Sequence, residues 1–388
     1  MPINNRVAEL SAETAEWRRD LHAHPELLYE VHRTAGIVAD KLRAFGCDEV
    51  ATGVGRTGVV GVIRGRKQGS GRIIGLRADM DALPIAEETG VGHASTNAGV
   101  MHACGHDGHT AMLLGAARYL TETRNFDGTV VVVFQPAEEG GAGGKAMVDD
   151  GLMERFGVQE IYGLHNMPGL PIGQFAIRPG PIMAAADRYD IEIEGLGGHA
   201  AKPHECRDPI VAAAQIITAA QSIVSRSADP LDSIVVSITR VEAGTTYNII
   251  PERAKLSGTV RTLRAASRDL AEARLKSVVE GVAQAMGVKA TISYARGYPV
   301  TENHAPQTDF AVRVAGQVVG GPNVDAALAP TMGGEDFSYM LLARPGAFIF
   351  MGNGDTAGLH HPRYDFNDAA IPYGVSYWAK LVETAMPA

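Results

Sequence analysis

Positive charge is in short supply: 35 lysines and arginines face 44 aspartates and glutamates, for a net charge of −9. A nucleic-acid groove or an anionic membrane surface is met by clustered basic residues, and no Lys/Arg run supplies them. Cysteine is scarcer still. Only Cys47, Cys104 and Cys206 occur in 388 residues, too few and too scattered for a disulfide framework, and in keeping with a reducing cytoplasm. No apolar stretch approaches the ~18 residues of a bilayer-spanning helix, and the polar opening MPINNRVAELSAETAEWRRD holds no signal-peptide core. The expectation is a cytoplasmic protein with no nucleic-acid or membrane partner. At 45% hydrophobic and 20% charged residues the chain is ordinary globular material, long enough for two domains.

Arg6 to Leu21 reads as an amphipathic helix stopped by Pro25, with His22 and His24 as ordinary helix-end residues. Thr34 to Phe45 predicts a second helix closed by Gly46. The stretch Gly53-Val-Gly55-Arg-Thr-Gly58 matches a dinucleotide fingerprint in letters only. It runs into the strand VVGVIRG where that fingerprint needs a helix N-terminus, so it predicts a glycine-rich hairpin. Arg72 to Arg77 is a short buried strand that ends in Asp79 and Asp81, placed either to support a metal site or to cap a helix.

The most concentrated chemistry is Met101 to Thr110, MHACGHDGHT, where Cys104 and His106 set a thiol beside an imidazole. Both bind borderline-soft divalent metals, Gly105 and Gly108 let the backbone bend, and the helical run AMLLGAARYL would anchor the turn. Thr129 to Gln135 (TVVVVFQ) has the β-branched texture of a parallel strand buried on both faces. It is followed by Glu138 and Glu139, adjacent carboxylates that are costly to desolvate without a cation. Ile161 to His165 repeats the pattern of apolar strand then potential ligand.

From about Arg188 the texture changes to alternating polar and apolar residues, as in Tyr189 to Glu194 and Asp232 to Arg240, which suits half-exposed antiparallel strands. With helices at Pro209 to Ser225 and Ser267 to Met286 and a last strand at Lys289 to Tyr294, the order is that of a ferredoxin-like split β-α-β unit. This predicts an insertion over 186–298 that divides another domain into segments 1–185 and 299–388. The final segment offers helices from Gln307 and near the end, a turn at Gly333 to Ser338, a strand at Gly346 to Met351, and the histidine pair His360-His361.

ACGHDGH, QPAEEGGAGG, GLH, GLGGHAAKPH and LHHPRYDFND together resemble, in order and spacing, the aminoacylase/carboxypeptidase class of two-metal peptidases. The likeness is to the branch containing hippurate hydrolase and plant auxin-conjugate hydrolases, and it covers nearly the whole chain. It implies an α/β fold: a metallopeptidase-type catalytic domain with a mixed central sheet flanked by helices, interrupted by a ferredoxin-like α+β lid that commonly builds a homodimer. By matching motifs it implies that Cys104, His106, Glu139, His165 and His360 are metal ligands, with His361 a departure from the usual pattern that leaves a swap of ligand open. Five protein ligands suit two divalent ions, and the thiolate favours Zn, Co, Ni or Mn over Mg or Ca.

The same likeness implies Glu138 as general base and His199, reaching across a dimer in related enzymes, as oxyanion donor. Asn248 and Arg261 would hold the substrate carboxylate, and Asp79 would steady the metal site. The expected reaction is hydrolysis of an N-acyl-L-amino acid, such as hippurate or an N-acetyl amino acid. The alternatives are a dipeptidase or carboxypeptidase on the same scaffold, or a non-hydrolytic metal-binding relative. A dimer or tetramer could form through the exposed strand DSIVVSITR.

Overall fold

Short runs of valine and isoleucine, too short for helices, make the centre of the larger unit. A computed structural model describes residues 5–388; the first four residues of the expected segment 1–185 lie outside that range. By contacts the chain separates into two units. One holds the residues through Ile182 with Glu302–Ala329 and Asp336–Ala388, and the other Met183–Thr301 with Pro330–Glu335.

In the larger unit α1 (Asn5–Ala23) and α2 (His32–Phe45) precede a hairpin of β1 (Glu49–Val54) and β2 (Gly58–Arg64), antiparallel and closed at Val54↔Gly58. This is the turn of the glycine-rich stretch. β3 (Ile73–Asp79), α3 (His106–Thr123), β4 (Thr129–Gln135), α4 (Gly143–Asp149), β5 (Glu160–Met167) and β6 (Phe175–Ala176) follow. The valines of β4 are buried on both faces, each contributing roughly 1.5–3 kcal/mol. β4 runs parallel to β3 but antiparallel to β2, because a β-branched run reports burial and not the direction of its neighbour. α3 is buried over most of its length and packs against α1, α2 and β3, so its N-terminus is held on the sheet.

The smaller unit alternates β7 (Ala185–Glu194), α5 (Pro209–Ser222), β8 (Ile234–Ala243), β9 (Arg253–Thr262), α6 (Ala265–Met286) and β10 (Lys289–Arg296). All neighbours are antiparallel in the order β8-β9-β7-β10, the ferredoxin-like arrangement. Along β7 every second side chain is buried, and Ile191, Ile193, Ile216, Leu256, Leu275 and Val279 join in one core. Asp208 caps α5 by accepting from the Ile210 amide, with Pro209 in the first helical position. β8 is an edge strand whose second half is exposed.

The chain then returns to the larger unit with α7 (Ala305–Val319), β11 (Val324–Asp325), β12 (Gly346–Gly352) and α8 (Ile371–Ala385). Its sheet runs β1-β2-β4-β3-β5-β12-β6-β11, and β3, β4, β5 and β12 are mutually parallel neighbours. Their carboxyl ends share one edge, where Asp79 is in register with Gln135. Ligands gather at that edge in α/β sheets. No helix among the described residues is long and apolar enough to cross a membrane.

Candidate metal centre

At this edge the cysteine-histidine segment makes a turn that only glycine permits. Gly105 has φ 88°, and a Cβ there would lie 2.2 Å from Asn166 Nδ2 and 2.5 Å from Tyr364 Oη. Asn166, directly after His165 on β5, donates from Nδ2 to the Cys104 carbonyl (2.7 Å) and accepts from Tyr364 Oη (2.8 Å). The His360 amide donates to the Ala103 carbonyl at 2.7 Å. Two sequence-distant segments, β5 and the 360–364 stretch, are thereby sewn to one turn by bonds that involve no candidate ligand side chain.

The side chains they carry form two donor groups with a common member. In each, one donor atom per residue lies within 4.8 Å of the others: Cys104, His106 and His165 make the first, and Cys104, Glu139 and His360 the second. Cys104 Sγ is 3.3 Å from His165 Nε2, and Glu139 Oε1 is 3.2 Å from His360 Nε2. Glu138 completes a further group with His106 and Glu139. His360 sits in the left-handed backbone region at φ 63°, whereas His361 accepts the Arg363 amide on Nδ1 at 3.0 Å and joins none of these groups.

Three buried residues organise the candidate ligands: Asp81, expected either to support a metal site or to cap a helix, and His109 and Asn166, to which the sequence assigned no role. Asp81 accepts the Glu138 amide on one oxygen (2.9 Å) and the Glu139 amide on the other (3.1 Å), while its carbonyl meets His106 Nδ1 at 2.8 Å. Asp81 thus caps a loop and not a helix. His109 is bound on both nitrogens, Nδ1 to Asp79 at 2.6 Å and Nε2 to the Asn166 amide at 2.9 Å, so it is a strut. Asn166 is the third. Asp79 is also tied to Arg77 Nη1 at 2.8 Å. The cue for Asp81 and Asn166 was position beside a strand end, and for His109 its place in the MHACGHDGHT segment.

The electrostatics call for a cation. Burial, then the charges of Glu139, Glu138 and Asp79, push the Cys104 thiol well above its ordinary value. Burial pulls the His106 imidazole down, yet Asp79, Asp81 and Glu139 carry it up to about 10. Burial works against the Asp79 carboxylate, but His106, Arg77 and His109 hold it well below the usual range. His106 Nε2 is buried without a hydrogen-bond partner. Divalent cations would stabilise the thiolate, satisfy that nitrogen and offset the crowded carboxylates at once, so the residues present fit such ions.

In the smaller unit the short pairing of Gly198–His199 with Ile249–Ile250 sets His199 opposite Ile249. The Ala200 amide donates to the Asn248 carbonyl at 3.0 Å, so His199 and Asn248 share one exposed ribbon. Arg261 lies apart on β9, half-buried, its Nε donating to Thr259 Oγ1 at 3.2 Å.

A thiol shared by a group of two imidazoles and a group of one imidazole and one carboxylate is a donor set that two divalent ions would fit. The chain belongs to the peptidase family M20/M25/M40, whose model matches residues 75–384. It is 43% identical over 381 residues to hippurate hydrolase of Campylobacter jejuni, covering 98% of each chain. To N-acetylcysteine deacetylase of Bacillus subtilis it is 40% identical over 365 residues, covering 94% of each. Among solved structures, the Bacillus subtilis YXEP protein, a dinuclear metal-binding peptidase from the M20 family, superposes with a TM-score of 0.84 at 36% identity, over 98% of this chain and 99% of that one.

Proposed function

We propose that this chain is a metal-dependent amidohydrolase that cleaves N-acyl-L-amino acids, of the hippurate or N-acetyl kind, to a carboxylate and a free amino acid. The observation that carries the reading is the pair of donor groups meeting at Cys104 with Glu138 alongside. Its relatives that hydrolyse hippurate and N-acetylcysteine support the substrate class. Cys104, His106, Glu139, His165 and His360 hold two divalent ions (Zn, Mn, Co or Ni), with Asp79 steadying them through His109 and the strand end. When bound, the ions supply Lewis acidity and a water of lowered pKa.

Glu138 takes the proton of the attacking water on a carboxylate oxygen and delivers it to the departing amide nitrogen. His199 donates a hydrogen bond to the oxyanion, and Asn248 and Arg261 hold the substrate carboxylate, Arg261 offering a two-pronged donor. Residues 186–298 act as a lid and join two or four copies. The chain works in the cytoplasm, in keeping with free Cys47, Cys104 and Cys206; cell fractionation that places it outside that compartment would count against this.

Glu138→Gln tests the centre of the mechanism. Metal content should persist while turnover of hippurate and N-acetylmethionine falls by a factor on the order of 10² or more. Full activity in the variant would end the assignment. Preference for a dipeptide with a free α-amino group over both N-acyl substrates would favour the peptidase alternative.

A further inference from the structure

The loop that carries Glu138 and Glu139 is backbone-strained, and its two halves are held from different directions. Ala137 (φ 53°) and Ala142 (φ 55°) lie in the left-handed region at its two ends, a conformation that alanine adopts only when its surroundings over-determine it. Asp81 grips the first half through the amides of Glu138 and Glu139. The second half is gripped by a residue outside every motif singled out above: Tyr29 Oη donates to the Gly141 carbonyl at 2.7 Å. Gly141 is tightly confined, for a Cβ there would lie 2.6 Å from Ala137 Cβ and 3.3 Å from Tyr29 Cε2.

Tyr29 is itself braced. Its carbonyl accepts from Thr57 Oγ1 at 2.9 Å, and the Arg56 guanidinium stands 4.1 Å from the ring centroid. The Ala82 amide donates to the Glu26 carbonyl at 2.8 Å, which runs the segment bearing Tyr29 beside Asp81. Six non-glycine residues have positive φ among those described, and four of them (Leu28, Arg56, Ala137 and Ala142) surround this one contact. Clustered strain of this kind marks a place where geometry is being enforced.

We propose that Tyr29 is a positioning residue for amide hydrolysis: its hydroxyl latches the Gly141 carbonyl and so keeps the Glu138 and Glu139 carboxylates aligned with Cys104, His106 and His360. Tyr29 touches no reacting atom and acts only through the loop. The inference rests on the reading of Glu138 as base and Glu139 as ligand.

Tyr29→Phe removes a single oxygen from a half-buried ring and leaves the fold intact. Three quantities separate a latch from a general structural role: kcat and KM on hippurate and N-acetylmethionine, the dissociation constant of Co²⁺ titrated into chelator-stripped protein, and the melting temperature. Loss of one hydrogen bond to the loop should lower kcat about three- to tenfold at unchanged KM and weaken Co²⁺ binding by a similar factor. The melting temperature should stay within about 2 °C. Unchanged kcat and Co²⁺ affinity would overturn the proposal, whether or not the melting temperature fell. Glu138→Gln run in parallel keeps the two readings apart. If it stays fully active the base assignment fails, while Co²⁺ affinity still reports on the latch through Glu139. If it is dead and Tyr29→Phe matches wild type in both readouts, the base stands and the latch falls.

Discussion

Raising the pH towards 9 should weaken this fold through one buried imidazole. Arg18 and His22 stand one turn apart on α1 and both meet Asp107 Oδ2, Arg18 Nε at 2.9 Å and His22 Nδ1 at 2.8 Å. His22 Nε2 lies 3.3 Å from Glu87 Oε1, and the other Glu87 oxygen accepts the Ser95 amide at 2.6 Å. His93 and Asp365 flank Arg18 on the outer side. Burial pulls the His22 pKa down and Arg18 opposes its charge, but Asp107 and Glu87 together carry it from 6.5 up to about 9.

A folded-state value above the unfolded one means that protonated His22 stabilises the protein fully below pH 6.5. The contribution then drains away as the pH rises through about 9. At 1.36 kcal/mol per pH unit the whole effect is roughly 3 kcal/mol, a sizeable part of a stability of about 5–15 kcal/mol. Urea unfolding of chelator-treated protein at about pH 6 and about pH 9.5, for wild type and His22→Gln, measures it. Wild type should lose most of that amount between the two conditions. The variant should start less stable at the lower pH and lose less than wild type between the two conditions, by most of that amount, since His106, carried up to about 10, adds the same loss to both proteins. Superimposable pH dependences in the two proteins would refute the reasoning.

The histidine pair gives a second prediction. His360→Ala should weaken metal binding by at least the roughly 10- to 100-fold that loss of a ligand's supporting partner costs, whereas His361→Ala should retain metal; titration with Co²⁺ measures both, and the reverse order would exchange their roles. The exposed edge of β8 gives a third. Ser237→Pro, placed in a strand that would pair with a second copy, should shift sedimentation towards the monomer, and an unchanged oligomer or a wild-type monomer would exclude that edge as the contact.

Much of the architecture was legible because burial leaves periodic marks. The alternation of β7 and the valine run of β4 each announced how many faces were covered, and the Gly53–Gly58 hairpin followed from what came after its glycines. The ligand-type residues of the candidate centre were legible as motifs. Of what holds them, Asp79 and Asp81 were marked as supports or caps, but not their partners. His22 reads as a helix-end residue, as His24 is, since nothing nearby shows that Arg18 and His22 both turn inward to a carboxylate 85 residues further on. Asp79 and Asp81 differ by two positions and a whole function: one braces His109, the other clasps two amides of a loop that the chain reaches only 57 residues later. Periodicity carries no information about such long-range polar pairings, and neither does composition.

Cys104, His106, Glu139, His165 and His360 together would hold two cations per chain. Anomalous diffraction at the cobalt edge from crystals of Co²⁺-loaded protein tests this directly. Two peaks per chain are expected, one among Cys104, His106 and His165 and one among Cys104, Glu139 and His360, with both lost in Cys104→Ala. No cobalt at these side chains, or an unaltered pair of peaks in the variant, would contradict it.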